Sequence, residues 1–372
     1  MDGGRLPVTS RERILAALGG ASADRVPLTE IGIWPETLRR WRAEGLPPKV
    51  SPHEHFGLDR IEFFSFDASL GLPEKTISED PAFRVYCDGD GCTYRMAIDH
   101  VSAPQFLASS VSSPEDWARL RLNLAPRMER FETFRTDVIF GGPLSEFQPV
   151  RYDRVRAEQA FTVIVPLEPC WYYLRLLGEV EALAAIALSP DFAAEIIAQY
   201  NAFTLDMVKL ILARGYRFDA LWVFSDLCYK GGMLFSPRFY EQAVLPHQKA
   251  LFDLAKDNDM KVIYHCDGNV DQLLPLLLRA GIDCIQPLEA RAGNDAARYL
   301  QAYPGRLSCM GNIDMDVFRT TRQRIGEEIT AKILSAKGSH RYLFHSDHSV
   351  PDTVSLQDYT YALQVAREAA WY

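Results

Sequence analysis

The sequence predicts an α/β protein, a single (β/α)8 TIM-type barrel over residues 1–372 with an N-terminal β-rich excursion. Three observations lead there. From residue 161 onward, short apolar strand patterns alternate with helical ones, the rhythm of right-handed βαβ crossovers in a parallel sheet. Neither a G-x-G-x-x-G nor a Walker A sequence accompanies these units, which disfavours a nucleotide-binding doubly wound sheet. The length of 372 residues suits instead a barrel of roughly 250 residues plus insertions. Finally, the strands end in polar groups. The clearest case is Val262-Ile263-Tyr264-His265-Cys266-Asp267-Gly268-Asn269, a buried strand followed by three adjacent ligand-type side chains and a turn. In parallel α/β folds, the C-terminal ends of strands are where sites are built.

Taken in order, residues 10–18 carry Ile14, Leu15 and Leu18 behind Arg11, Glu12 and Arg13, a short amphipathic helix with Ser10 as its N-cap. Asp24-Arg25-Val26-Pro27-Leu28-Thr29-Glu30 reads as a brief strand entered by a turn. Trp34-Pro35 leads into a helix over 36–44 that stops at Gly45. Next, Arg84-Val85-Tyr86-Cys87 and Cys92-Thr93-Tyr94-Arg95-Met96 flank Asp88-Gly89-Asp90-Gly91, a hairpin pattern. This excursion is expected as an insertion of about 56–125 in the main fold, not a separate domain. Residues 114–126 read as helical, and 127–156 are charged and carry no clear pattern. Strands then follow at 161–167, 219–224, 262–265, 283–289, 307–311 and 341–344. Helices fall between them at 172–187, 190–212, 237–257, 270–279, 295–303 and 324–336.

Hydrophobic content of 48% and charged content of 24% are those of an ordinary soluble globular protein. A net charge of −9 with no basic block argues against nucleic acid and against anionic lipid as partners. Seven scattered cysteines without a C-x-x-C pair make a disulfide framework unexpected and point to a reducing cytoplasm. No secretory h-region and no apolar run of bilayer-spanning length are expected.

Successive strands end in Glu168 and Cys170, then Asp226, then His265-Cys266-Asp267, Glu289, Asn312 and Asp314, and Asp347-His348. On a barrel these crowd one rim. Each alone has a structural reading: an aspartate after a strand commonly caps the next helix, and Cys266 can pack as a small hydrophobe. Together, however, clustered carboxylates repel and must be offset by metal, ligand or proton. The rim is therefore expected to be an enzyme's acidic, histidine-containing mouth. Trp34, Trp171, Tyr172, Tyr173, Trp222, Phe224 and Tyr229 fall near strand ends, where a flat small-molecule substrate could stack. Trp222 and Phe224 are expected in the core; Trp34, Tyr229 and Lys230, with Asn312, are expected at the substrate.

Several further pieces occur in order along nearly the whole chain: Arg11-Glu12-Arg13, Asp24-Arg25-Val26-Pro27, Leu174-Arg175-Leu176-Leu177-Gly178-Glu179, Ser236-Pro237-Arg238-Phe239-Tyr240, Gly281-Ile282-Asp283, Pro287-Leu288-Glu289 and Asp347-His348-Ser349-Val350-Pro351. With His265 to Asn269, they resemble the uroporphyrinogen decarboxylase superfamily, which also contains corrinoid-linked methyltransferases and is similar to cobalamin-independent methionine synthase. The resemblance implies a (β/α)8 barrel with one rim site. True uroporphyrinogen decarboxylases open with an R-Q-A-G-R signature that holds substrate carboxylates; here the region reads Thr29-Glu30-Ile31-Gly32-Ile33-Trp34-Pro35, acidic and aromatic. Methyltransferase members hold zinc through an H-x-C motif on a middle strand and a cysteine on the last one. In this chain His265 matches the first position, Asp267 stands at the cysteine of that motif, and Asp347 at the last one with His348 beside it.

The resemblance thus implies a metal site of His265, Asp267 and Asp347, with Asp226, His265, Glu289 and His348 as catalytic groups. Such ligands suit zinc and also harder metals. Cys266 could serve only after a one-residue register shift that would carry it to the other face of the strand. The implied activity is methyl transfer between a small methylated molecule, such as an O-methyl aromatic, and the cobalt of a separate corrinoid protein, since no D-x-H-x-x-G module occurs here. Two alternatives stand beside it: a metal-independent, decarboxylase-like lyase anchored on Asp226, and a non-catalytic small-molecule-binding barrel. A homodimer is implied by resemblance.

Overall fold

Period-two alternation of side chains along short strands sorts this chain into an inner and an outer core. A computed structural model describes residues 8–98, 104–136 and 145–372. Its strands are, in order, β1 (Ile61–Phe64), β2 (Lys75–Glu79), β3 (Phe83–Cys87), β4 (Thr93–Ala97), β5 (Gln105–Ala108), β6 (Phe161–Ile164), β7 (Ala220–Ser225), β8 (Cys228–Tyr229), β9 (Gly232–Met233), β10 (Lys261–Cys266), β11 (Cys284–Pro287), β12 (Ser308–Met310) and β13 (Tyr342–Leu343). Seven of them, β1, β6, β7 and β10 to β13, lie side by side in one parallel sheet.

On one face of that sheet Phe161, Val163, Ala220, Trp222, Ile263, Cys284, Met310 and Leu343 join Ile14, Ala17 and Leu18 in a single buried cluster. The residues between them, among them Leu221, Val262, Tyr264, Ile285 and Tyr342, pack outward with the helices. The sheet is therefore curled around an apolar interior. The helix Ser10–Gly19 sits at the strands' N-terminal end: Ala17 O accepts from Ser308 Oγ at the start of β12, and Arg11 pairs with Asp219 just before β7. The C-terminal ends are left for polar groups.

Residues 24–30 form no full strand, contrary to the sequence reading. They contribute single bridges, Arg25 to Trp371 and Leu28 to Phe344. Phe344 N donates to Pro27 O, Thr29 N to Phe344 O, and Asp59 N to Leu28 O. The segment thus lies between the end of β13 and the entry to β1. The first helix is capped by Thr9, not Ser10, because Thr9 and Glu12 form a reciprocal capping box.

The helix expected over 172–187 is two, Pro169–Leu177 and Glu179–Leu188, divided at Gly178. The one expected over 237–257 contains a π-helical turn, Tyr240–Val244, before Leu245–Asp257. Pro246 has no amide to give the Gln242 carbonyl, so the ladder must slip there. Among the described residues, two helices of ten residues or more escaped the sequence reading. Gln148–Ala157 buries only Gln148 and Val155, leaving no apolar stripe to detect. Leu356–Ala370 follows the last strand and packs on Arg322–Lys337.

The helix Pro190–Ala213 corrects another expectation. With 24 residues and a mean hydropathy of 1.3 in its most apolar window, it is long and apolar enough to cross a bilayer. Scattered polar residues such as Asn201 interrupt its apolar run without lowering that mean enough. Its Ile196, Ile197, Tyr200, Met207, Val208 and Ile211 are buried, and it packs against the helices Pro169–Leu177 and Leu245–Asp257.

Strands β2 to β5 form a four-stranded antiparallel sheet, with the expected hairpin pairing Cys87 to Thr93 around 88–91. Within the span of about 56–125 expected for this excursion, β1 belongs to the parallel sheet instead. Residues 99–103 of that span, and 137–144 of the unpatterned stretch, lie outside the described residues.

Candidate active site

β10 delivers His265. Its register pairs His265 with Phe224 of β7 and Gln286 of β11. All three are two residues beyond interior core positions (Trp222, Ile263 and Cys284), so their side chains meet on the inner face. The imidazole stacks on Phe224, centroids 4.1 Å apart and planes 9° from parallel. Its Nδ1 lies 2.5 Å from Gln286 Oε1. Its Nε2 faces two carboxylates, 3.5 Å from Asp226 Oδ1 and 3.9 Å from Asp267 Oδ1. Potential ligand atoms of Asp226, His265 and Asp267 all fall within 4.8 Å of one another. His265 is buried, both aspartates are half-buried, and Asp267 Oδ1 is buried with no hydrogen-bond partner.

Burial of His265 works against its cation, but the carboxylates of Asp226 and Asp267 outweigh it and lift its pKa above the ordinary value of 6.5. Asp267 is raised as well. Burial is the main cause; the charges of Asp226 and Glu289 add to it, while His265 and His348 oppose it. Glu289 and His348 therefore share one electrostatic neighbourhood with the three-residue group.

The loop after β10 passes tightly against the β8–β9 hairpin. Gly268 has φ +79°, and a Cβ there would stand 2.6 Å from the Cys228 carbonyl carbon, so only glycine fits. Its amide donates to Glu289 Oε2 at 3.0 Å, and the Asn269 amide donates to Tyr229 O at 3.0 Å. Tyr229 and Lys230 themselves are exposed on this hairpin. Trp34 and His348 meet edge to face across 6.0 Å, with Trp34 half-buried and His348 exposed.

A cleft of about 910 Å³ reaches Asp226. One wall is the helix Pro169–Leu177, with Trp171, Leu174 and Arg175; the other is the antiparallel sheet, with Tyr86, Tyr94 and Phe106. Trp171 packs on Phe224 at 5.4 Å, and the Arg175 guanidinium lies 5.1 Å from the Trp171 ring centre. The excursion is thus part of the site. Sequence reading singled out none of its three aromatics, whose spacing marks only one face of a sheet.

Two expected residues are engaged elsewhere. Asp347 is buried, and its two oxygens accept from the Ala290 amide (2.9 Å) and the Met315 amide (3.0 Å). Burial pushes its pKa up to about 7 against those two bonds. It stands outside the three-residue group, which brings Asp226 beside His265 and Asp267 where the sequence reading expected Asp347. Asn312 is also saturated. Its Oδ1 accepts from Ala296 N and Lys332 Nζ, and its Nδ2 donates to Leu288 O and Asn294 O, which leaves nothing for a substrate. Cys266 faces the outer core, where its sulfur accepts from the Leu227 amide and burial pushes its pKa up. As the strand register requires, it is no ligand.

Glu168 is a helix cap, accepting from Trp171 N at 2.6 Å and from Gln248 Nε2 at 2.9 Å. Complete burial pushes its pKa from 4.5 to about 7. Because the folded value lies above the unfolded one, its contribution is complete below pH 4.5 and is lost as the pH rises through about 7. Relative to Glu168→Gln, the natural chain is expected to lose about 1.4 kcal/mol per pH unit across that window. Urea unfolding at pH 5 and pH 8 measures it. The variant is tolerable because Gln248 Oε1 has no partner, so that amide can turn to accept.

Three residues absent from the expected catalytic and binding set complete the surroundings: Gln286, His345 and Glu30. Gln286 Nε2 lies 2.9 Å from His345 Nε2, and His345 Nδ1 lies 3.1 Å from Glu30 Oε1. A signal for two of them existed, since 286 and 345 follow the inner-core residues Cys284 and Leu343 by one strand period.

A curled parallel sheet whose strand ends carry a histidine–carboxylate group is the architecture of an α/β protein with a rim site. The chain belongs to the uroporphyrinogen decarboxylase (URO-D) family, whose model matches residues 178–369. This bears out the resemblance read from the motifs, and the match contains Asp226, His265, Asp267, Glu289, Asp347 and His348. In fold the chain is similar to a methyltransferase from Methanosarcina mazei, with a TM-score of 0.64 and 17% identity, covering 97% of this chain and 98% of that one. A B12-independent methionine synthase from Shewanella sp. W3-18-1, in complex with selenomethionine, aligns with 61% of this chain and 67% of that one at a TM-score of 0.40 and 10% identity. No curated protein matches the chain in sequence.

Proposed function

We propose that the chain is a metal-dependent methyltransferase-type enzyme. It would move a methyl group between a small methylated molecule, such as an O-methyl aromatic, and a corrinoid carried by a partner protein. The observation that supports this most is the group of one imidazole nitrogen and two carboxylate oxygens within 4.8 Å. Asp267 Oδ1 is buried and accepts no hydrogen bond, with only the His265 ring facing it at 3.9 Å, whereas such an oxygen ordinarily has a donor or a bound cation. The donor set fits zinc and harder divalent ions. A solved neighbour of the same fold is a methyltransferase, which agrees with this reading.

When bound by Asp226, His265 and Asp267, such an ion supplies Lewis acidity toward the heteroatom that carries the methyl group. The chain's own residues do the rest. Phe224 and Gln286 fix the plane of His265. Glu289 and His348 would hold or deliver the proton of the leaving group. Trp171, Tyr86, Tyr94 and Phe106 offer ring faces to a flat substrate and exclude water. Trp34, Tyr229 and Lys230 stand on the rim, where substrate and partner enter. The same proposal takes the sheet as a closed (β/α)8 barrel forming one unit over 1–372, with the Pro27–Thr29 segment as its eighth member. It places a homodimer in the cytoplasm, a setting suited to seven free cysteines.

The rival reading, a metal-independent lyase, needs cations at the mouth to hold substrate carboxylates; among the described residues, Arg175 is the one cation lining the cleft. Elemental analysis of protein purified without chelator separates the two. About one zinc per chain is expected, and the loaded protein should demethylate a methoxylated aromatic only when a corrinoid protein is supplied. Metal-free protein would shift the chemistry to acid–base catalysis on Asp226.

Because His265 must be neutral to donate, metal affinity is expected to rise with pH through its elevated pKa and to weaken below it. The loss should begin above the ordinary imidazole value of 6.5. Calorimetric titration with zinc at pH 6 and pH 8 checks the sign, and equal affinities would contradict it.

A further inference from the structure

We infer that Gln286, His345 and Glu30 form a directional polar relay that holds the neutral His265 ring as its Nδ1–H tautomer and keeps the Nε2 lone pair turned toward Asp226 and Asp267. The direction follows from what each group can give. Glu30 accepts at both carboxyl oxygens. Its Oε2 accepts from Ser346 Oγ (2.5 Å) and Tyr359 OH (3.0 Å), and its Oε1 accepts from the Ile31 amide (3.0 Å). His345 Nδ1 faces that same Oε1 at 3.1 Å, a close electrostatic contact outside hydrogen-bond geometry, and the carboxylate favours the ring proton on that nitrogen. His345 Nε2 is then an acceptor, and the group 2.9 Å from it must be the NH2 of Gln286. The Gln286 oxygen is thereby turned to His265 Nδ1, at 2.5 Å, which must donate.

Burial makes the direction binding. Glu30, Gln286 and His345 are at most 2% exposed. There, a reversed amide or a displaced proton would set two donors or two acceptors face to face without water to correct them. On the other side of the His265 ring the nearest acceptor, Asp226 Oδ1, is 3.5 Å away. The shorter bond at Nδ1 therefore keeps the proton. Sheet geometry explains how the chain was assembled: His265, Gln286 and His345 each follow an inner-core residue of β10, β11 or β13 by two positions. Glu30 comes from the segment beyond Leu28, between β13 and β1. These are positioning residues. Their consequence for metal rests on the function proposed above, but the relay itself does not.

The test uses the full chain labelled with 15N-histidine, at a pH above the ring's titration, with the His265 signals assigned by their loss in His265→Asn. The wild type is expected to show a protonated Nδ1 and a bare Nε2. His345→Phe touches neither His265 nor the aspartates, yet it frees the Gln286 amide to turn. It is expected to move part of the proton to Nε2 and to weaken zinc binding about 10–100-fold. Glu30→Gln keeps an acceptor at the Oε1 position, where the Ile31 amide holds an oxygen, and is expected to retain both the signature and the affinity. A wild-type proton on Nε2 overturns the relay, as does a His345→Phe variant with unchanged signature and affinity. Should that variant not fold, the wild-type spectrum decides. An Nδ1–H signature in a protein that binds no zinc upholds the relay and removes only the metal reading.

Discussion

Under the proposed function, replacing His265 by alanine is expected to prevent metal binding and to abolish the proposed methyl transfer. The ring is the only nitrogen donor in the three-residue group, so its loss should cost more than the roughly 10–100-fold that outer partners cost. A further effect acts in the same direction. Gln286 Oε1 is left without the donor now 2.5 Å away. Competition with a chromophoric chelator, beside a denaturation curve showing that the variant still folds, measures the result. Wild-type metal content in a folded His265→Ala protein would refute the assigned ligand set.

Gly311→Ala is expected to be among the most destabilising single substitutions outside the mouth. Gly311 follows β12 with φ +119°, and a Cβ there would stand 1.8 Å from the Pro287 carbonyl oxygen and 2.5 Å from its carbon. The obstacle is backbone, so no rotamer change relieves it. Conformational strain of about 1–3 kcal/mol and a similar cost of overpacking combine to a loss on the order of 2–6 kcal/mol. The damage would spread to the neighbouring Asn312, whose amide holds Leu288, Asn294, Ala296 and Lys332 together. The urea midpoint should fall clearly with little change in slope. An unchanged midpoint would mean that the backbones at Pro287 and Gly311 are not so close.

Much of the site was legible because its chemistry is local. His265, Asp267 and Asp226 were visible as ligand-type residues just past apolar strands, and strand ends are where parallel sheets expose side chains. The period of two also placed Cys266 on the opposite face from His265, where the structure puts it. The choice between Asp226 and Asp347 was not legible. Each follows a strand, and nothing within a few residues of either distinguishes them. What separates them is that Asp347 meets the amides of Ala290 and Met315, 57 and 32 residues away.

The excursion shows the same division. Its hairpin could be read from alternation around Asp88-Gly89-Asp90-Gly91. Its role as a wall of the cleft could not, because that depends on contacts such as Tyr94 OH to Arg175 O, 81 residues distant. Glu30 is the extreme case: it joins Ser346 and Tyr359 across 316 and 329 residues. By itself, then, the sequence determined the kinds of group at the mouth, the face of the strand each occupies and the parallel α/β architecture. All of these follow from local periodicity and side-chain chemistry. Only the tertiary structure decided which groups meet, because that depends on sheet register and on the closure of long loops, whose free energy resides in the whole packed sheet and not in any one stretch.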